Sequence, residues 1–344
     1  MPRSLRLATY NVEWMNALFD DNGRALFDGE RSARYKVTRE EQLNALGTVF
    51  TALDADGIMI IEAPDTSRNR STVAALQGFA RHFGLRAQRA LIGFASDTEQ
   101  EIAFLYDPDR LQVSHDPQGA PAPSRGAAGA PRFDTGLRYD VNDDGVDELV
   151  TFSKPPLELS VTFGDRHLRL IGVHAKSKAP HGHVSPEEFR RISIDNRRKQ
   201  LAECHWLRQR AHSHLLRGDS LIMLGDFNDG PGIDPYERVF GRSGVEVALG
   251  LDQPPERQLT DPHALMALTQ GTGLRPTTAR FWLAPRKSYF EALLDFIMVS
   301  PDLAASHPAW RIWHPFNDPG VAALPELRDA ILTASDHFPV TLDL

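Results

Sequence analysis

Carboxylates, carboxamides and imidazoles recur in this chain where apolar runs end. In residues 221–232, LIMLGDFNDGPG, an apolar run leads into Gly225-Asp226-Phe227-Asn228 and then into a Gly/Pro cluster that must be loop. That order predicts a buried strand whose carboxyl end delivers a carboxylate and a carboxamide to a cleft. Strand alternation puts Asp226 and Asn228 on one face and turns Phe227 into packing. An Asp and an Asn so placed also suit the capping of a turn, and these residues alone leave both readings open. The same kind of ending recurs at Asn11, at Glu62, at His174 and at Asp336-His337, while Asp295 sits inside the apolar run of residues 293–299.

One buried polar side chain needs only a local explanation, but several strands that each deliver Asn, Asp, Glu or His need a shared one. The set holds hard oxygen ligands and two imidazoles, with no cysteine pair and no HExxH spacing, and it suits Mg²⁺ or Mn²⁺ better than zinc. A GxSxG elbow and a GxxxxGK[ST] loop are absent from the sequence, which counts against serine hydrolases and P-loop enzymes. Metal-assisted hydrolysis of a phosphate ester by water remains. Each residue also has a quieter reading: Asn11 and Asn228 as turn formers, His174 and His337 as satisfied core histidines, Asp295 as the partner of a buried arginine.

The elements that must position these groups read as α/β. Residues 5–10 alternate as a strand, and residues 16–37 lack a period and read as a long loop. Thr38-Arg39-Glu40-Glu41 is a capping-box pattern ahead of Leu43, Leu46, Val49, Phe50 and Leu53 at helical spacing. Residues 57–62 form a continuous apolar run that ends at Glu62, as expected of a central strand covered on both faces. Residues 72–83 read as helix, 102–106 as strand, and 157–163 with 167–173 as a hairpin around Gly164-Asp165. A basic helix is predicted from about Pro186 to Leu216, with Ile194, Leu201, Cys204, Ala211 and Leu215 as its apolar stripe. Arg190, Arg191, Arg197, Arg198, Lys199, Arg208, Arg210 and Arg217 then face elsewhere, either to solvent or to a polyanion.

Between Asp116 and Pro131 the chain is dominated by Pro, Gly and Ala and is expected to be a flexible excursion. Beyond it, Asp140, Asn142 and Asp144 with Gly145 have the alternating oxygens of a calcium loop, but Thr151 stands at the twelfth position where a Glu is expected. A structural Ca²⁺ and a tight hairpin turn are both compatible with that segment.

The 344 residues suffice for one large domain or two small ones, and 41% apolar with 24% charged residues is ordinary for a globular protein. A net charge of -8 argues mildly against a protein that coats itself in nucleic acid but leaves room for a local basic groove. No apolar run approaches the roughly 20 residues that span a bilayer, and the N-terminus lacks an apolar leader core, so a cytoplasmic location is the expectation. The single cysteine, Cys204, excludes an internal disulfide framework and reads as a small buried hydrophobe. His181, His183, His205, His212 and His214 match no motif.

The ordered series ATYNVEW, IIEAPD, GVHAKSK, LGDFND, LLDFIMVS and SDHFPV resembles the endonuclease/exonuclease/phosphatase superfamily, whose folds are deoxyribonuclease I-like. The opening YNVEWMNALFD further resembles a bacterial branch of it. The resemblance runs from Asn11 to the C-terminus and implies one domain over residues 1–344, with an insertion near 116–150. It implies a four-layer α/β sandwich, two mixed β-sheets face to face with helices outside. Ile61 departs from the family, which often has Gln before the metal-binding Glu.

Carried over, the resemblance implies Glu62 as principal Mg²⁺ or Mn²⁺ ligand, with Asn11 beside it, Asp336 as a further ligand, and Glu13 for a second ion or to organise the first. His337 would be general base or phosphate-polarising imidazole, held by Asp295. Asp226 would orient or deprotonate the attacking water, Asn228 would bond the scissile phosphate, and His174 would donate to a non-bridging oxygen. Lys176, Arg197 and Arg198 are candidate contacts to a nucleic-acid backbone. The leading expectation is a metal-dependent phosphodiester hydrolase, a nuclease of low sequence specificity. A phosphatase or phosphodiesterase for a phosphoinositide, phospholipid headgroup or small ester, and a catalytically silent binding module, are the alternatives.

Overall fold

The computed structural model describes residues 4–344 except 97, 143, 179–184, 233–239, 270–274 and 284–286; His181 and His183 lie outside the described residues. The described strands are β1 (Arg6–Asn11), β2 (Gly57–Ala63), β3 (Arg89–Ile92), β4 (Glu101–Tyr106), β5 (Gln112–His115), β6 (Leu137–Tyr139), β7 (Glu148–Val150), β8 (Leu157–Phe163), β9 (Arg166–His174), β10 (Leu221–Asp226), β11 (Ala279–Leu283), β12 (Ser288–Ala292), β13 (Asp295–Val299), β14 (Ala309–Ile312) and β15 (Val340–Asp343). One six-stranded sheet has the order β14-β15-β1-β2-β4-β3, and a five-stranded sheet has the order β13-β10-β9-β8-β5. Both are mixed: β1–β2 and β9–β10 pair parallel, their other neighbours antiparallel.

Strand alternation explains how the two sheets stack. Met59 and Ile61 of β2 point inward and meet Leu159, Leu170, Ile222, Leu224 and Ile297 of the other sheet in a shared core. Ile58 and Ile60, one residue out of phase, point outward against Leu46, Val49 and Phe50 of α1 (Arg39–Leu53), Leu76 and Phe79 of α2 (Thr72–His82), and Ile331 of the helix Pro325–Ala334. On β10 the same alternation sends Leu221 and Met223 outward against Trp206 and Leu207 of α3 (Pro186–Arg217). Each sheet is thus covered on both faces, giving four layers, helix, sheet, sheet, helix. The capping box is present at Thr38 and Glu41, and α3 starts with a second one at Ser185 and Glu188.

Two expectations need correction. The polar side of α3 is solvated only in part: Arg190, Arg191 and Arg217 are exposed, but Arg197, Arg208 and Arg210 are buried. Arg210 is ion-paired with Glu158 and donates to the carbonyls of Ala130 and Pro131 at 2.9 and 2.8 Å, while Arg208 donates to the Arg257 carbonyl at 2.6 Å. The same contacts, with Trp206 Nε1 donating to the Pro131 carbonyl at 3.0 Å, pin the Pro/Gly/Ala-rich excursion to α3, so that segment is tied down. The Asp140 segment is the turn of the β6–β7 hairpin. Asp140 accepts from the backbone N–H groups of Asp144 and Gly145 at 3.1 and 2.8 Å, and Asp144 accepts from Val146 at 2.9 Å. These carboxylates satisfy the turn itself, which supports the hairpin reading over a calcium loop.

Candidate active site

Strand direction and register bring the polar strand ends to one rim. Parallel pairing of β1 with β2 places Asn11 opposite Ile61, next to Glu62. Parallel pairing of β9 with β10 aligns His174 with Asp226, and antiparallel pairing of β10 with β13 aligns Asp226 with Asp295. The sheets then stack so that β1 lies against β10 and β13. Glu62 sits at an irregularity in the β2–β4 register and has φ 65, which turns its side chain out of the strand's alternation. Four of the eight described non-glycine residues with positive φ, Glu13, Trp14, Glu62 and Asn228, line one cleft. Backbone strain of this kind persists only where the surrounding structure enforces it.

The cleft encloses about 960 Å³ and is lined by Asn11, Glu62, Lys154, His174, Asp226, Asn228, Asp336 and His337, with Phe189, Phe281, Leu283 and Phe290 as an apolar wall. Asp226 Oδ2 is its centre: Asn11 Nδ2 donates to it at 3.1 Å and Asn228 Nδ2 at 3.3 Å, while His174 Nε2 and His337 Nε2 each stand 3.9 Å away. Glu62 Oε2 accepts from the Trp14 N–H at 2.8 Å, and its Oε1 accepts from Asn11 at 3.3 Å and lies 3.9 Å from His174. His337 Nδ1 meets Asp295 Oδ2 at 2.7 Å, with both residues buried. Ser335 fastens this end of the chain, donating through Oγ to the Asn11 carbonyl at 2.7 Å and accepting the His337 N–H at 3.0 Å.

Burial sets the titration of these groups. It pushes the Asp226 carboxyl up to about 6 and Asp336 up to about 7, each opposed by His337, and it also raises Glu62. It holds the His174 imidazole well below the ordinary histidine range, with Lys154 and His337 adding to the effect. For His337 burial acts the same way, but Asp295 first, then Asp226 and Asp336, outweigh it and raise the imidazole well above its ordinary value. Acids pushed up by burial are donors that a divalent cation would return to their ionised forms, so Glu62 and Asp336, with the Asn11 carboxamide, are residues that could hold one. Asp226, Asp295 and His337 also lie close enough together to hold an ion, but the 2.7 Å contact already commits Asp295 to the imidazole.

Several placements differ from the sequence expectation. Asn228 reaches Asp226 by a left-handed turn (φ 50) past the end of β10, not by strand alternation, and its amide also donates to the Ala175 carbonyl at 3.0 Å. Glu13 does not share a strand face with Asn11: β1 ends at Asn11, and the Glu13 carboxylate is ion-paired with Arg34 and accepts the Asp336 N–H at 2.8 Å. Its geometry organises the site, which leaves it committed elsewhere than to a second ion. Lys176 lines the cleft, but Arg197 is buried 3.7 Å from Asp229, and Arg198 pairs with Asp195 at 3.4 Å beside a separate hollow with Asn142 and Glu148.

Sequence reasoning missed the supporting groups. Arg34 came from a loop without a period. Gln100 bonds Glu62, while Ile61 packs between the sheets. From α3, Gln200 Nε2 donates to the Phe227 carbonyl at 3.0 Å and Glu203 accepts the Lys176 N–H at 2.7 Å, so one helix face holds the ends of both β9 and β10. The i, i+3 spacing of Arg197, Gln200 and Glu203 was the available signal.

No family model matches the chain, and no curated protein sequence matches it. Among solved structures it is similar to TDP2 from Caenorhabditis elegans, with a TM-score of 0.50 at 11% identity over 100% of this chain and 76% of that one. A second structure of the same worm protein, with selenomethionine, gives TM-score 0.50 at 11% identity over 99% and 74%. The chain has the deoxyribonuclease I-like fold. A 3′ phosphatase, NExo from Neisseria, bound to a product DNA hairpin, has a TM-score of 0.48 at 17% identity over 98% of each chain. At these identities the likeness is one of fold, and the four-layer α/β sandwich described above is what it shares.

Proposed function

We propose that residues 1–344 act as one unit, a divalent-metal-dependent phosphodiester hydrolase that cuts nucleic acid with little sequence preference. The observation that carries this reading is the convergence of two imidazoles and two carboxamides on one oxygen of Asp226, beside Glu62. Glu62, Asn11 and Asp336 would hold the ion, and Arg34 clamps Glu13 so that the Asp336 backbone stays in place. A bound Mg²⁺ or Mn²⁺ supplies Lewis acidity at a phosphoryl oxygen.

The protein's own groups divide the remaining work by charge. His337, held as imidazolium by Asp295, donates to the phosphoryl group as negative charge develops. An imidazolium cannot accept a proton, so the base is Asp226, whose carboxyl, at about 6, is matched to deprotonating water near neutral pH. His174, kept neutral by burial, donates to a second non-bridging oxygen. Asn228 holds Asp226 in register through its shared amide. Lys176 meets the flanking backbone, and Phe281 and Phe290 offer ring faces to a base or sugar.

The test is nicking of supercoiled plasmid and cleavage of single-stranded DNA and RNA with Mg²⁺ or Mn²⁺, lost with EDTA and in His337→Ala. Nucleic acid left intact across divalent metals refutes the nuclease reading. The apolar wall that Phe281, Leu283 and Phe290 give the cleft favours a second reading, a phosphate ester with an apolar group. Phosphate or headgroup release from phosphoinositides, phospholipids and soluble monoesters in the same panel decides between them.

A further inference from the structure

The β11–β12 ribbon has two faces, and the cleft uses one of them. Phe281 of β11 pairs with Phe290 of β12 and both line the cleft, so strand alternation turns the flanking pairs, Arg280 with Glu291 and Trp282 with Tyr289, the other way. Trp282 is 52% and Tyr289 53% exposed, and Phe316, from the segment after β14, adds a third ring at 49%. Single exposed aromatics are ordinary, but three gathered around one cation mark a contact surface.

Arg280 holds the rings in place. Its guanidinium stands 3.5 Å from the centroid of Tyr289 and 5.2 Å from that of Phe316, while its Nε meets Glu291 Oε1 at 3.2 Å. Trp282 stands edge to face with Tyr289, centroids 5.0 Å apart and planes at 66°. Rings fixed in this way lose little conformational freedom when a ligand binds. The ribbon is also fastened to the segment that bears His337: the Arg280 N–H donates to the Asp336 carbonyl at 2.7 Å, Ala279 bridges His337, and the Phe338 N–H donates to the Thr278 carbonyl at 2.6 Å. The outer face therefore keeps a fixed offset from the phosphoryl site.

A second copy of the chain would need about 800 Å² from each partner, whereas three half-exposed rings offer roughly 300 Å². A hydrocarbon surface is opposed by the Arg280–Glu291 ion pair on the same face. A single strand of nucleic acid suits both features, because its bases present flat faces to the rings and its phosphates meet Arg280 and Lys287, which is exposed at the turn of the ribbon.

We propose that the outer face of the β11–β12 ribbon binds single-stranded nucleic acid, stacking bases on Trp282 and Tyr289 while the scissile phosphate lies in the cleft behind it. The assignment rests on the nuclease reading and extends it from the phosphoryl group to a flanking stretch of the strand. The strand rounds the edge of the ribbon, so a short phosphodiester fills the cleft alone and a longer one reaches both faces.

The test compares wild type, Trp282→Ala, Tyr289→Ala and Trp282→Phe as full chains. Affinity for a fluorescein-labelled oligodeoxythymidylate is read by anisotropy in EDTA, where nothing is cut. In Mn²⁺, kcat and KM are read on that oligonucleotide and on bis(p-nitrophenyl) phosphate, which is too short to reach the outer face. Each alanine variant is expected to bind the oligonucleotide about 5–100-fold more weakly, the loss of one base stack, and to lose kcat/KM on it through KM. Turnover of the small diester and the unfolding temperature should stay at the wild-type level, and Trp282→Phe should keep most of the affinity. Oligonucleotide affinity alike within threefold in all four proteins, or no binding by wild type, overturns the proposal. So does an equal loss on the small diester, which would mean that the ribbon only shapes the cleft, and so does a marked fall in unfolding temperature. Binding to phosphatidylserine vesicles, or a dimer in sedimentation, that the substitutions abolish while oligonucleotide affinity holds would assign this face to a membrane or to a second copy instead. If oligonucleotide binding falls in the variants but wild type cleaves neither substrate, the hydrolase reading fails and the nucleic-acid contact stands.

Discussion

Replacing Asp295 by Asn keeps the side chain's shape and removes its charge, which isolates the electrostatic part of the His337–Asp295 contact. The two meet at 2.7 Å, with Asp295 2% and His337 5% exposed, so solvent screens the pair little. A hydrogen bond to a charged group contributes roughly 1.5–3 kcal/mol. Two unit charges about 4 Å apart at an effective dielectric of about 20 interact by about 4 kcal/mol, a figure that overlaps the first. Taken together, ~3–4 kcal/mol of transition-state stabilisation is at stake, which converts to a fall in kcat/KM of about 10²–10³-fold. The carboxamide oxygen can still accept from Nδ1, so the unfolding temperature should shift little. The assay is kcat/KM on an oligonucleotide in saturating Mg²⁺ across a pH series, with thermal unfolding in parallel. Asp295 raises the His337 imidazole, so the limb of the profile that belongs to His337 should move to lower pH in the variant. A variant within threefold of wild type, with an unmoved profile, would refute the reasoning.

Gly225→Ala should prevent or severely weaken folding, because the added Cβ would lie 2.0 Å from the Val173 carbonyl oxygen at a φ of +143, against backbone atoms that cannot rotate away. A soluble variant with an unchanged unfolding temperature contradicts that. Burial depresses His263 to about 4, so the unfolded chain binds its proton more readily. Stability from this group is full above about pH 6.5 and is lost as pH falls toward 4, by up to ~3 kcal/mol. His263→Gln should therefore flatten the acid side of a stability–pH curve measured by denaturant titration, and an unchanged slope rules this out. Calcium should leave the unfolding temperature unchanged, since the Asp140 and Asp144 carboxylates accept from the turn's own N–H groups. A calcium-dependent rise abolished by Asp144→Ala would restore the calcium-loop reading.

Local pattern carried a large part of the architecture. The Thr38 capping box, the apolar runs of β2 and β10, and α3 to within a residue of its end were legible, because periodicity and caps are set by neighbours a few positions apart. The strand-end residues Asn11, Glu62, His174, Asp226, Asp295 and His337 were legible as types, and register then decided that they face one another.

What the sequence could not say was which distant group each charge would meet. Arg210 and Arg197 read as facing solvent or a polyanion, because a helical arginine looks the same whether water or a buried acid awaits it; Glu158 and Asp229, brought from other strands and loops, made them core. Glu13 was read as holding a second ion or organising the first, and only the fold paired it with Arg34; Lys154 was one more lysine before prolines until the fold buried it beside Glu62 and Asp226. The amino-acid order by itself determined the strands, the helix caps and the stock of hard oxygens and imidazoles, all properties of short segments. Only the tertiary structure decided which of those groups share a cleft and which are spent on ion pairs, because desolvation and Coulomb forces act between residues far apart in the chain.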